Sequence, residues 1–419
     1  MKERIFRNFL ILITVVFVST SIFAGGVVTG AYYHEILPSS VSFPRYTSTA
    51  NEVEINQEAG ATPQELQEYF KPFWESFELL QENFVDQPLD TTKLVQGAIK
   101  GMLKATGDNN TTYMTPVEQD MMSENMSGEI EGIGAEVDTR SGEYLRVIAP
   151  LPGSPAEAAG ILPGDTIIAI DGKDVSGIDP FEVIGKVRGP AGTIVEITLK
   201  REGVLEPLVL EITRYNFVVP SVEGENLDNR IAYVKINRFG DRTEKELRSQ
   251  LRSLMSDHPD GLILDLRNNP GGFLDAGIAV TSQFIKNQIV MRETFGDGRE
   301  REYRSGRDGL ATEVPLIILI NKGSASASEI VASAVKDYNR GTLVGETTYG
   351  KGTVQTWINL TDNRGSVRIT FARWAGPLGN SIDGQGVNPD VEVQSSPEDR
   401  QSNIDTQLDT AIDIFLESN

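Results

Sequence analysis

Pro315-Leu316-Ile317-Ile318-Leu319-Ile320-Asn321-Lys322-Gly323-Ser324-Ala325-Ser326-Ala327-Ser328-Glu329 passes from an unbroken apolar run through a serine-rich turn into a helix-forming stretch that reaches Tyr338. An apolar run of this length reads as a strand covered on both faces, the habit of parallel sheets. A strand that turns directly into a helix sets the turn's side chains at the C-terminal edge of the sheet, where open α/β sheets bind ligands. The same signature occurs upstream. Leu262-Ile263-Leu264-Asp265-Leu266 is a second nearly continuous apolar strand, and Ile231-Ala232-Tyr233-Val234-Lys235-Ile236 a third. Between them, Leu247, Leu251 and Leu254 keep helical register from Thr243 to Met255. This C-terminal half therefore reads as βαβ, and the chain as an α/β (α+β) multidomain protein.

Working outward, Asn403 to Leu416 reads as an amphipathic C-terminal helix, within a segment taken as 398–419. The core spans 216–397. Residues 128–215 carry short alternating strands, among them Ile194-Val195-Glu196-Ile197-Thr198-Leu199, and two short helices, the size of a small binding domain. From Thr62 to Lys104 the pattern is helical, with Thr62 as cap and Pro63 in the first turn; the helical region is taken as 61–127. Phe70, Phe73, Trp74, Phe77 and Leu80 form one apolar stripe, either core or the surface of a homodimer. Residues 35–60 read as a linker rich in Ser, Thr, Pro and Asn.

The first 34 residues differ. Lys2, Arg4 and Arg7 precede an apolar stretch, and no charge occurs from Asn8 to Tyr33. A run of that length crosses a bilayer core of about 30 Å. Basic residues before it hold the N-terminus inside, so the body is expected outside the cytoplasm, as a single-pass protein of the cell membrane facing a periplasm or the cell exterior. A cleaved signal peptide is the rival, with Ser21-Ile22-Phe23-Ala24 a poor cleavage site.

Composition narrows the chemistry. With 38 basic and 60 acidic residues the formal charge is −22, which repels nucleic acid and anionic lipid headgroups alike. Zero cysteines exclude thiol proteases, disulfide frameworks and thiolate zinc sites. Only two histidines are present: His34 adjoins the apolar stretch, and His258 lies in Asp257-His258-Pro259-Asp260, a turn between helix and strand. A serine with a neutral lysine as base needs neither residue type.

Lys351 lies 25 residues beyond Ser326, in Gly350-Lys351-Gly352-Thr353-Val354-Gln355. A lysine among apolar neighbours loses solvation of its ammonium form and moves toward the neutral amine required of a base. The helix N-terminus at Ser326 offers free N–H groups to an oxyanion, and the Pro270-Gly271-Gly272 turn presents more. Each feature has a structural counterpart: Ser326-Ala327-Ser328-Glu329 fits a capping box, Lys351 fits a surface turn, and Asn-Pro-Gly-Gly an ordinary turn.

Taken together, Gly128 to Gly134, Gly153-Ser154-Pro155-Ala156 with Pro163-Gly164-Asp165, Asp265 to Gly272, Gly323 to Glu329 and Gly350 to Gln355 resemble the carboxyl-terminal processing proteases. These are tail-specific serine proteases with an embedded PDZ domain, and the match covers about residues 62 to 419. The resemblance implies Ser326 as nucleophile, Lys351 as general base and Gln355 orienting the lysine. Ala327 with Gly271 or Gly272 would form the oxyanion hole. It also implies that Gly132-Ile133-Gly134 offers backbone N–H groups to the terminal carboxylate of a peptide, with Ile133 lining a pocket for the last side chain. Arg188 is the expected link between peptide occupancy and the active site. Substrates would be proteins with unstructured C-terminal tails, and no metal or organic cofactor is implied. This chain reads Arg267-Asn268-Asn269 where the family commonly has Arg-Gly-Asn. The rival functions are a non-catalytic, membrane-tethered PDZ receptor or regulator and a Ser-His hydrolase using His258.

Overall fold

A computed structural model describes residues 64–140, 143–394 and 404–418. The expected membrane segment, the linker and the Thr62-Pro63 helix start lie outside them. Among the described residues, no helix is long and apolar enough to cross a membrane.

The chain divides into two units, with the boundary after Leu89. In the first, helix α1 (Gln67–Asn83) follows a 3-10 turn at Gln64–Leu66 and buries none of its residues. Its aromatic stripe stacks on itself, Phe73 and Trp74 meeting edge to face at 5.0 Å. The helix does not continue to Lys104 as the sequence pattern suggests: Phe84 is extended, and Pro88 disfavours helical geometry at the residue before it.

In the second unit α2 (Thr91–Lys104) starts afresh, capped by Asp90. Strand β1 (Thr112–Met114) leads into α3 (Pro116–Ser127), where Thr115 and Glu118 form a capping box with Pro116 at the first helical position. Gly128, at φ 75°, ends the helix.

A β-rich body follows. Strand β2 (Glu129–Gly132) pairs with β9 (Tyr215–Val218). Between them run β3 (Ala135–Asp138), β4 (Leu145–Pro150), the short helix α4 (Pro155–Ala158), β5 (Thr166–Ile170), β6 (Lys173–Asp174), helix α5 (Pro180–Val187), β7 (Ile194–Lys200) and β8 (Leu208–Thr213). Their sheet order is β3-β4-β5-β7-β8, so β3 is an edge strand. Strict alternation along β7 buries Val195, Ile197 and Leu199 completely and sends their neighbours outward.

The core sheet has the order β10-β11-β12-β15-β16-β19. Strand β10 (Val222–Leu227) is antiparallel to β11 (Ile231–Ile236); β12 (Gly261–Asp265) follows helix α6 (Thr243–Ser256) and runs parallel to β11. After β12 come helix α7 (Leu274–Thr281) and the hairpin β13 (Ile289–Phe295) and β14 (Glu300–Arg304). Strand β15 (Leu316–Ile320) leads into α8 (Ala327–Asp337), followed by β16 (Thr342–Gly345), β17 (Thr353–Asn359), β18 (Ser366–Ala375), β19 (Val391–Glu392) and helix α9 (Thr406–Ser418). Every residue of β12 and β15 is buried, as their apolar runs require. Residues of α6, α7 and α8 pack with one face, while Ala411 and Phe415 of α9 cover Ile263, Ile317 and Leu319 on the other. A side chain on Gly261 would stand 2.7 Å from the Phe415 ring, so that strand needs glycine there. A second, antiparallel sheet joins β1, β18, β13 and β14, with β17 paired to β18. Those strands were not anticipated; their mixed polar sequences carry little periodicity.

Candidate active site

Strands β12, β15 and β16 are parallel neighbours, so the turns after them gather at one sheet edge. The turn after β15 carries the serine run, the turn after β12 carries Arg267 to Gly272, and Lys351 follows β16. His258 precedes β12, at the opposite end of strands five residues long, about 16 Å away at the usual rise per residue. A Ser326–His258 pair is thus excluded by sheet geometry.

The three serines have different fates. Ser324 Oγ donates to the Leu266 carbonyl at 2.8 Å, and Ser328 Oγ to the Asn269 carbonyl at 2.9 Å. Both are buried and pin the serine run to the neighbouring turn. Ser326, by contrast, stands at φ 54°, ψ −113°, a strained conformation for a residue with a side chain. Among the described residues its hydroxyl is committed to no carbonyl. The Glu329 N–H, which a capping hydroxyl would accept from, bonds the Ser326 carbonyl at 2.8 Å. A strained serine between strand and helix is the arrangement that exposes a nucleophilic hydroxyl.

Glu329 is the residue that sequence reasoning treated only as a helix cap. It is fully buried, and its carboxylate accepts four hydrogen bonds: Oε2 from Ser326 N–H (2.7 Å) and Lys351 N–H (3.0 Å), Oε1 from Gly350 N–H (2.6 Å) and the Thr348 hydroxyl (2.6 Å). A buried charge is tolerable when paired or saturated with donors in this way. Its position three residues after the serine was the available signal.

Lys351 is half-buried, and Trp374 Nε1 donates to its carbonyl at 2.9 Å. Burial, and secondly the Arg368 guanidinium, hold its ammonium below the ordinary lysine range against the opposing charges of Glu329 and Asp108. Asp108 and Arg368 come from the loop after α2 and from β18, and Arg368 Nε donates to the Asn110 carbonyl at 2.8 Å. Neither was foreseen. Gln355 sits on β17, but its amide nitrogen donates to Thr353 Oγ1 (2.8 Å) and Thr370 Oγ1 (3.1 Å). Among the described residues no hydrogen bond joins Gln355 to Lys351, or the Lys351 amine to the Ser326 hydroxyl.

Gly271 lies against the serine turn. At φ 96° it would place a Cβ 2.8 Å from Ser326 Cβ and 2.9 Å from Ala327 N. Its own N–H donates to Asn269 Oδ1 at 2.9 Å. Gly272 bridges to Phe239, whose N–H and carbonyl bond Gly271 O and Phe273 N, so the Gly272 N–H is not used there. Ala327 N–H is the first of its helix and has no intrahelical acceptor. Asn268 occupies the left-handed region at φ 58°, where asparagine substitutes for glycine at little cost. Paired bonds of 2.9 Å with Asn321 hold that turn, which accounts for the departure from Arg-Gly-Asn.

The sequence matches the models for Peptidase family S41 over residues 230–393, the PDZ domain over 146–201 and the activating protease CtpB N-terminal domain over 28–117. It is 38% identical over 341 residues to the carboxy-terminal-processing protease of Bartonella bacilliformis, covering 80% of this chain and 77% of that one. It is 33% identical over 345 residues to the carboxyl-terminal-processing protease of Synechocystis, covering 80% of both. The chain belongs to the carboxy-terminal processing protease family. It is a serine peptidase with a PDZ domain. A solved photosystem II D1 C-terminal processing protease shares 30% identity with it at a TM-score of 0.48, covering 76% of this chain and 86% of that one.

Within the β-rich body of this protease, the Ile133 and Gly134 carbonyls accept from Ala156 N–H and Leu151 N–H, both at 2.9 Å. Across a trans peptide the next N–H points the opposite way, so Gly134 N–H is turned away from Ala156. The Ile133 side chain is 3% exposed and belongs to the core of that body. Arg188 packs against the same loop, its Cγ 3.6 Å from where a Gly132 Cβ would stand, and its guanidinium pairs with Glu124 of α3.

Proposed function

We propose that Ser326 attacks a peptide bond near the C-terminus of a protein substrate and that Lys351 takes its proton and returns it to the leaving amine. An acyl-enzyme forms and water releases it. Ala327 N–H and the Gly272 N–H hold the oxyanion, with Gly271 shaping the turn rather than donating. Gln355 orients the lysine through its carbonyl oxygen, its amide nitrogen being occupied by the two threonines. The observation that carries the reading is the contrast among the serines: two are tied to backbone carbonyls, while Ser326 is strained, half-buried and joined to the Lys351 segment through Glu329.

The tail reading has separate support. The Gly132-Ile133-Gly134 loop borders edge strand β3, the position at which a peptide adds to a sheet, and Gly134 N–H is available to a carboxylate. Arg188 transmits occupancy through Glu124 to α3. The uncharged stretch from Asn8 to Tyr33 tethers the body outside the cytoplasm, and the exposed Phe70, Phe73, Trp74 and Leu80 of α1 serve a homodimer. The deciding experiment is cleavage of an unfolded protein with an apolar C-terminus by wild type, Ser326→Ala and Lys351→Ala, with free and amidated tails. Cutting by wild type alone, weakened by amidation, is expected. Equal cutting by Ser326→Ala would overturn the mechanism, and indifference to amidation would overturn the tail reading.

A further inference from the structure

Gln355 of β17 stands directly opposite Thr370 of β18 because the register slips between Val354 and Gln355. Without that bulge Gln355 would face Phe371, and bulges beside active sites re-aim side chains in this way. The Gln355 amide nitrogen then donates to Thr353 Oγ1 at 2.8 Å and to Thr370 Oγ1 at 3.1 Å. A primary amide has a donor end and an acceptor end, and a hydroxyl can meet either. The direction is fixed from a distant segment.

Asp108 sits in the loop between α2 and β1, upstream of the whole β-rich body. Its Oδ1 accepts from the Asn110 N–H at 2.9 Å and its Oδ2 from the Thr111 hydroxyl at 2.7 Å, and the Thr370 hydroxyl also bonds this carboxylate. Burial pushes the Asp108 carboxyl up, but the bonds from Thr370, Asn110 and Thr111 outweigh it and hold it below the ordinary aspartate range. An ionised carboxylate only accepts, so the single Thr370 hydroxyl proton points to Asp108 and the Thr370 oxygen is left to accept from Gln355. The same loop is tied to both strands: Asn110 Nδ2 donates to Thr353 Oγ1 at 3.3 Å, and the Thr370 N–H to Thr111 Oγ1 at 3.1 Å.

We propose that Asp108 and Thr370 are positioning residues for the lysine: Asp108 takes the Thr370 proton, Thr370 therefore receives the Gln355 amide nitrogen, and the Gln355 carbonyl oxygen is the end left for the Lys351 amine. A reversed amide would offer N–H groups instead, which oppose the ammonium and occupy the lone pair that the neutral amine needs as a base. The inference rests on the Ser326–Lys351–Gln355 reading and extends it to the residues that hold the glutamine.

The test measures kcat and KM of the full-length protease on an unfolded protein with an apolar C-terminus, on the high-pH plateau where the lysine is neutral in every variant. Thr370→Val keeps the shape and loses the hydroxyl; it should lower kcat by at least about tenfold with little change in KM. Thr370→Ser, which restores a hydroxyl, should recover most of the rate. In a Gln355→Met background Thr370→Val should cost less than about twofold more, because its effect passes through the glutamine. A wild-type kcat for Thr370→Val, or the full loss repeated in the Gln355→Met background, would overturn the proposal. If melting curves show Thr370→Val unfolded, Asp108→Asn replaces it, since its amide can donate to Thr370 and so frees the Gln355 amide; the same loss and the same non-additivity are expected. Gln355→Met decides between the readings: wild-type activity there removes the glutamine's role and this proposal together, whereas an impaired Gln355→Met beside an unaffected Thr370→Val removes only the Asp108–Thr370 assignment.

Discussion

Ser326 and Lys351 are held to a single carboxylate oxygen: the backbone N–H groups of both donate to Glu329 Oε2, at 2.7 and 3.0 Å. The nucleophile's helix and the lysine's loop therefore cannot shift independently without breaking a bond to a buried charge. Glu329→Gln keeps the shape but presents an NH₂ to donors. Activity should fall by at least about 100-fold, the scale of an ångström-sized misplacement. Each unpaired donor should cost about 1–3 kcal/mol. Hydrolysis rates with thermal melts test this; wild-type activity would refute it.

Gly271 and Gly192 both have positive φ, 96° and 86°, but only Gly271 is crowded by the serine turn, with open space at Gly192. Gly271→Ala should lower kcat by about 10²–10³-fold through displacement of Ser326 and Ala327. Gly192→Ala should cost about 1 kcal/mol of stability from backbone strain alone. Equal effects of the two on kcat would contradict the proposed geometry.

Because the base must be neutral, kcat/KM should rise tenfold per pH unit and level off at the Lys351 pKa, below that of an ordinary lysine. Arg368 lowers that pKa and Asp108 raises it. Removing Arg368's charge should move the plateau to higher pH, and Asp108→Asn should move it to lower pH. Rate profiles of both variants check the signs, and shifts in one common direction would contradict the assignment.

Arg188 and Glu124 join the β-rich body to α3. Arg188→Glu and Glu124→Arg should each reduce cleavage of a free-tailed substrate, and the double reversal should recover at least half of the loss. Melting curves separate coupling from misfolding: a double variant as impaired as either single one, yet stably folded, would remove Arg188 from the link.

Asp405 ties the start of α9 to the end of β12, its two oxygens taking bonds of 2.7 and 2.9 Å from Arg267. Burial pushes its carboxyl up, but the Arg267 bonds and a backbone N–H outweigh this and hold it low. The stabilisation is complete above the ordinary aspartate pKa and is lost as pH falls through the depressed one. Because the Asp405 carboxylate is partly exposed and water screens its pair with Arg267, Asp405→Asn should lower stability at neutral pH by no more than about 1 kcal/mol and flatten its acid dependence. Denaturant titrations across pH measure both.

The sequence alone determined the parallel strands β11, β12 and β15 and the helices α6 and α8, because apolar runs at Leu262 and Leu316 report a sheet covered on both faces. It also singled out Ser326, Lys351 and the Gly271-Gly272 turn, since strand ends and glycine spacing are local properties of the chain. Only the tertiary structure decided which serine was tied to no carbonyl among the described residues, that Glu329 takes four donors, that Asn268 fills a glycine position with help from Asn321, and that the charges of Asp108 and Arg368 act on Lys351. The reason is physical. Hydrogen-bond saturation, strain and the pKa of an amine depend on neighbours brought from distant segments by packing, and periodicity along one segment carries no record of them.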